Sequence, residues 1–287
     1  MKKVVAIVGP TAVGKTSLSI KVAQTFQAEI INGDSTQVYQ GLDLGTAKIT
    51  VKEKAGVIHH LIDHVAASEE YDVSRYQEEA RKLIEKIEHP LIVGGTGFYI
   101  KAVLDDYDFR GPKRDFKKEN LYHEYNNQEL HQILIKKDPQ SAQNIHPNNR
   151  RRVLRALFLA EGIKRSARRK KDKPRYQYKI IYLTLPREEL YRRIETRADI
   201  MMEKGFLEEV IALRNKGIKP NILGYREMNQ YLEGTLTKEE ALTLMKRNTR
   251  RYAKRQETFF NNQMQTIKIN NDEQAFDKII KELALFW

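Results

Sequence analysis

Gly9 to Thr16 read Gly-Pro-Thr-Ala-Val-Gly-Lys-Thr, and no other stretch limits the possible folds of this chain as tightly. The spacing fits G-x-x-x-x-G-K-[ST], a loop whose successive backbone N–H groups and following helix N-terminus face phosphate oxygens. Such a loop needs a strand before it and a helix after it. Residues 4–8 are a short apolar β-branched run suited to a buried parallel strand. Residues 16–26 put Leu18, Val22, Ala23 and Phe26 on one helical stripe. Gly9, Pro10, Thr11, Ala12, Val13, Gly14, Lys15 and Thr16 are therefore the expected binding residues for a polyphosphate or diphosphate. Lys15 is expected to reach an outer phosphate, and the Thr16 hydroxyl to sit on Mg²⁺. The loop alone names no reaction.

Further strand-like runs occur at 29–32, 91–93 and 179–185, with a weaker one at 266–269. Helical patterns such as 74–87 and 187–204 lie between them. Alternation of this kind means an α/β fold, here a P-loop NTPase-like core with a parallel sheet. Ligands bind at the carboxyl ends of such strands. Three of those ends carry polar or glycine-rich turns, at Gly9-Pro10-Thr11, Gly33-Asp34-Ser35 and Gly94-Gly95-Thr96-Gly97, and they are expected to converge. Residues 111–173 show no strand pattern. They are polar and basic, with helical stripes at Leu121, Leu130, Ile133 and Leu134, and at Val153, Leu154, Leu157 and Phe158. The expected organisation is a catalytic core of residues 1–110 and 174–287, interrupted by an all-helical insertion at 111–173.

Charge adds a partner. The chain has 287 residues, an ordinary 40% of them hydrophobic, and a net charge of +13. That imbalance suggests a polyanion, nucleic acid before membrane. The cations cluster at Arg150, Arg151, Arg152 and Arg155, at 164–175 and at 246–255. Cysteine is absent, which removes disulfides and Cys-based zinc sites. No run approaches the roughly 18 apolar residues of a membrane span. The apolar run after Lys2 and Lys3 breaks at Gly9-Pro10, so no signal peptide is expected. A cytoplasmic monomer is the expectation.

A P-loop ATPase places an acidic residue after a second strand to help hold Mg²⁺. Here the run at 91–93 ends in glycines, which leaves Asp34. It could be a metal partner or a general base facing the phosphate loop. His59, His60 and His64 are expected to make capping or structural hydrogen bonds rather than bind a metal, since adjacent histidines diverge on a strand or helix.

Asp34 opens the run DSTQVYQGLDLGTAK, which resembles the second motif of the tRNA dimethylallyltransferases, also called tRNA isopentenyltransferases. GPTAVGKT resembles that family's first motif. HHLID at 59–63, GGTGFYIKAVL at 94–104, IHPNNRRRVLRAL at 145–157, LGYREM at 223–228 and TRRYAKRQETFF at 249–260 are similar to later ones. The resemblance spans nearly the whole chain. It implies transfer of a dimethylallyl group from dimethylallyl diphosphate to N6 of the adenine 3′ of the anticodon, tRNA position 37, with release of diphosphate and with Mg²⁺. It implies Asp34 as base, Thr96 on the departing oxygen and Arg197 on the diphosphate. It also implies that the tRNA anticodon stem-loop meets Asp34, Ser35, Thr36, Gln37, Thr96, Arg151, Arg152, Arg226 and Arg251. Thr36 stands where relatives often carry a bulkier Met or Arg, and the connections near 88–90, 111–113 and 219–222 are short for the family. The zinc finger that some eukaryotic members append is absent. Two rivals remain at this point. A P-loop kinase of small molecules or nucleotides would explain Lys15 and Thr16 but not the charge. A non-enzymatic nucleic-acid binder would explain the charge but not Asp34 and Thr96.

Overall fold

Val4, Val5, Ala6, Ile7 and Val8 are each 0% exposed, as a strand covered on both faces must be. They form β1 (Lys3–Val8) in a computed structural model that describes residues 1–109, 120–160 and 173–287. The other strands are β2 (Glu29–Asn32), β3 (His59–His60), β4 (Pro90–Gly94), β5 (Gln177–Thr184) and β6 (Ile267–Asn270). Among the described residues they make one sheet in the order β3-β2-β4-β1-β5-β6, with every pairing parallel. The five expected strands lie where the apolar runs placed them. The edge strand β3 has no counterpart in the sequence reading, because two residues cannot show a period.

The helices are α1 (Lys15–Phe26), α2 (Val51–Lys54), α3 (Val73–Lys86), α4 (Gly97–Leu104), α5 (Asn127–Lys137), α6 (Pro139–Gln143) and α7 (Arg150–Ala160). After them come α8 (Arg187–Glu203), α9 (Phe206–Asn215), α10 (Tyr225–Leu232), α11 (Lys238–Gln263) and α12 (Ala275–Ala284). Side chains of β1 alternate between two helical layers, as the period of a strand requires. Val4, Ala6 and Val8 pack with Tyr76, Ala80 and Ile84 of α3 and with Ile100 and Val103 of α4. Val5 and Ile7 pack with Leu18, Val22 and Ala23 of α1 and with Ile279 and Leu283 of α12. Each buried Val or Ile contributes about 1.5–3 kcal/mol, so the strand that delivers the phosphate loop is among the best-anchored parts of the chain. A third cluster gathers Leu42 with Phe206 and Val210 of α9, Tyr225 and Met228 of α10, and Met245 of α11. Helix α11 starts at a capping box in which Thr237 and Glu240 satisfy each other's backbone N–H groups.

The chain divides into two compact units, Met1–Asp105 with Pro174–Trp287, and Asp106–Lys173. In the second, Leu130 and Leu134 of α5 pack with Val153, Leu154, Leu157 and Phe158 of α7. Leu121, expected in that core, lies before α5 and is 73% exposed. The first unit closes around Asp105, which is 3% exposed. Its carboxylate accepts from Lys101 Nζ at 2.9 Å and from the Tyr178 hydroxyl at 3.1 Å. Asp105 also bridges Pro174 across an isolated antiparallel pair, so the chain leaves and rejoins this unit at one point. No helix among the described residues is long and apolar enough to cross a membrane.

Candidate active site at the carboxyl end of the sheet

Beyond β1 the chain turns through Ala12 (φ +64°) and Gly14 (φ +94°) into α1. An added Cβ on Gly14 would stand 2.5 Å from Asn271 Nδ2 in a left-handed backbone, so only glycine suits the position. Asn271 follows β6 and donates Nδ2–H to the Val13 carbonyl at 2.6 Å. Lys15 Nζ donates to the carbonyls of Gly9 (3.0 Å) and Pro10 (2.9 Å). Burial pushes the Lys15 ammonium down to about 8; Asp34 pulls it upward and Arg197 pushes it further down. Thr16 is exposed in the first turn of α1.

The expected convergence of three strand ends is present. Gly94 lies so close to β2 that a Cβ on it would be 2.2 Å from the Gly33 carbonyl carbon. Thr96 N–H donates to the Gly33 carbonyl at 3.1 Å. The Thr96 hydroxyl accepts from the Ser35 N–H at 3.0 Å and donates to Ser35 Oγ at 3.2 Å. Asp34 is held from both sides. Asn32 brackets its backbone with two 3.0 Å bonds. Asp34 Oδ1 accepts from the Thr36 N–H (2.9 Å) and hydroxyl (2.7 Å). Its Oδ2 takes no hydrogen bond among the described residues. Arg197 of α8 is pushed below the usual arginine range by burial, with Asp34 and Glu53 opposing the shift. Lys15, Asp34 and Arg197 thus share one electrostatic neighbourhood.

The stretch after Asp34 is stapled rather than loose. Gln37 Nε2 donates to the carbonyls of Thr46 (3.0 Å) and Ala47 (3.3 Å). Lys48 Nζ, its side chain 6% exposed, meets the Tyr39 carbonyl and the carboxylates of Asp43 and Asp63. Glu209 of α9 accepts the N–H groups of Asp43, Leu44 and Gly45, and also the Tyr225 hydroxyl. The histidines make structural contacts: His59 Nδ1 with the Val57 carbonyl, His60 Nε2 with Glu29, and His64 Nε2 with Glu79.

Helix α11 supplies residues that sequence reasoning did not single out. Gln256, 5% exposed, accepts the Thr11 N–H through Oε1 at 3.0 Å and donates from Nε2 to the Gly95 carbonyl at 2.9 Å. One turn earlier on the same face lies Tyr252; burial, then the charge of Asp34, pushes its phenol upward, so it keeps its proton. The only signal was an uncharged Tyr and Gln four apart in a run of cations. The opposite side of α11 exposes Arg247, Arg251, Lys254 and Arg255. Lys246 and Arg250 are tied to Asp199 and Glu195. Arg226 of α10 pairs with the fully buried Glu227, which also accepts from the Gly224 N–H and from Asn248. Arg151 and Arg152 are exposed on α7, whereas Arg150 donates to the carbonyls of Tyr122 and Tyr125. Most of the basic run at 164–175 lies outside the described residues. Chemically, the site offers an anion cradle with two cations, beside a carboxylate oxygen left open to a proton.

A family model described as IPP transferase matches residues 37–263. A tRNA dimethylallyltransferase of Carboxydothermus hydrogenoformans is 44% identical over 299 residues, 98% of this chain and 96% of the relative. One from Acholeplasma laidlawii is 44% identical over 290 residues, 100% of this chain and 99% of the relative. Among solved structures, the full-length tRNA isopentenylpyrophosphate transferase of Bacillus halodurans is similar with a TM-score of 0.76 and 42% identity, over 100% of this chain and 95% of that one. A eukaryotic dimethylallyltransferase acting on tRNA gives a TM-score of 0.84 at 29% identity, over 99% of this chain and 80% of that one.

Proposed function

The chain belongs to the IPP transferase family, and from that premise we infer that it moves a dimethylallyl group from dimethylallyl diphosphate to N6 of the adenine 3′ of the tRNA anticodon, releasing diphosphate. The amine is a poor nucleophile because its lone pair is delocalised into the purine. As the N–C bond forms, Asp34 Oδ2 takes the amine proton, and the donor's C–O bond breaks with its electron pair going to diphosphate. The charge that develops there meets the N–H groups of the loop 9–16, Lys15 and Arg197. Thr96, whose hydroxyl donates to Ser35 Oγ in the protein alone, turns that hydrogen to the departing oxygen. The exposed Thr16 hydroxyl is a hard-oxygen donor at a helix N-terminus and fits Mg²⁺, which keeps most of its coordination for phosphate and water. When bound, the ion would offset diphosphate charge.

The anticodon stem-loop is the acceptor. Its adenine must leave the stack to reach Asp34, at a cost of a few kcal/mol. Backbone contacts from Arg251, Arg226, Arg151 and Arg152, with Ser35, Thr36 and Gln37 nearer the base, offset that cost. One chain supplies every group named, so a monomer suffices, working in the cytoplasm where tRNA is. The observation that carries this reading is the open Asp34 Oδ2 in the same charged neighbourhood as Lys15 and Arg197. The test incubates the protein with unmodified tRNA and either radiolabelled dimethylallyl diphosphate or γ-labelled ATP. Label from the first donor should enter tRNA adenine. Label moving from ATP to a small molecule, with none from the prenyl donor, would establish a kinase instead.

A further inference from the structure

Thr11 and Gly95 lie on different loops, yet one side chain bonds to both. Gln256 accepts from the phosphate loop at Thr11 N–H (3.0 Å) and donates to the turn before Thr96 at the Gly95 carbonyl (2.9 Å). A primary amide can do both at once without carrying charge. The gap is cut to the amide: a Cβ on Gly95 would come within 2.2 Å of Gln256 Nε2. The side chain is 5% exposed, so it meets these loops and not solvent. Gln256 thus makes a brace from α11 across the two loops that carry the leaving-group cradle and Thr96.

We propose that Gln256 is a positioning residue for the transfer, setting the distance between the diphosphate loop and the Thr96–Asp34 edge while touching neither substrate. This rests on the reading of the site given above. A brace of this kind acts on kcat, because a misplacement of about 1 Å in reacting groups costs up to about 100-fold.

The test compares Gln256→Glu and Gln256→Met with the wild-type protein from roughly pH 5.5 to roughly 8.5, the range in which a buried carboxyl titrates. Ionised, the new carboxylate still accepts from Thr11 but repels the Gly95 carbonyl. Protonated, its O–H donates to Gly95 and its C=O accepts from Thr11, as the amide does. The kcat of Gln256→Glu relative to wild type should therefore rise about tenfold or more as pH falls. Gln256→Met can make neither bond; its ratio should stay low, about 10- to 100-fold down, and flat with pH. The KM for tRNA should stay within about threefold in both. A pH-independent ratio for Gln256→Glu, or wild-type kcat in Gln256→Met, overturns the proposal. Circular dichroism establishes folding of each variant. Should Gln256→Met not fold, Gly95→Ala displaces the amide from the other side and should lower kcat in the same way; wild-type kcat there is equally fatal. Affinity for inorganic diphosphate, measured by calorimetry, should follow the same pH-dependent ratio in Gln256→Glu. That readout needs no transfer, so a wild-type protein that fails to prenylate tRNA would strike the proposed function and leave the brace to be judged on diphosphate binding.

Discussion

Asp34 commits one carboxylate oxygen to Thr36 and keeps the other. Asp34→Asn preserves the first contact and loses the base, so single-turnover transfer should fall by roughly 10²–10⁴-fold, the usual worth of a general base. Gel-shift affinity for tRNA should change little, and turnover within about threefold of wild type would end the base assignment. Lys15 gives a second prediction. In the protein alone its ammonium sits near 8, chiefly through burial. A bound diphosphate brings negative charge and raises that value. Binding then takes up protons where the pH is near or above 8 and almost none well below it, so affinity falls as pH rises through 8. Calorimetric titration with diphosphate in two buffers of different ionisation enthalpy should show proton uptake at pH near 8; identical apparent enthalpies would contradict it. Lys15 was visible in the sequence through the spacing of its loop, and Asp34 through its place after a strand-like run and the family motif that it opens. Gln256 was not, because its partner Thr11 is 245 residues away and a buried glutamine inside a cationic run reads as one more solvated position.

Helix α11 shows what a helical pattern reveals and what it hides. Its positive charge could be read from residues alone. Which cations are free could not, since Lys246 and Arg250 find acidic partners on α8, a contact between elements far apart in the chain. Arg251 is exposed and faces no carboxylate partner among the described residues. If it follows the tRNA backbone, Arg251→Ala should weaken binding across sequences and make the slope of log affinity against log salt shallower by about one. Donor binding should be unaffected. An unchanged slope in filter binding over a salt series would leave Arg251 a surface charge. Strands behaved differently: β1 is apolar from Val4 to Val8 because helices cover both faces, and that pattern needs no partner to be seen.

For the molecule as a whole, the single root at Asp105 and Pro174 makes the second unit removable. Replacing residues 106–173 by a short Gly/Ser bridge should leave a folded core that still binds diphosphate in calorimetry but no longer modifies tRNA or shifts it on a gel. Loss of diphosphate binding in a folded variant would show that the donor site depends on the inserted unit. The division into a core and a helical insertion was visible as a stretch without strand pattern; the buried Lys101–Asp105–Tyr178 cluster that closes the core was not, because it joins residues from opposite sides of that stretch. The parallel pairing of β1 with β5, and the bonds from Gln256 and Asn271 to the phosphate loop, also set a timetable. A ribosome delivers Gly9–Thr16 well before Gln256 and Asn271, 245 residues after Thr11 in the one case and 258 after Val13 in the other. Pairings of such long sequence separation form slowly, so the loop waits until Asn271 has been made before it can cradle anything. A chain truncated before Asn271 should therefore be made and should fold in part, yet carry a phosphate loop that was never finished.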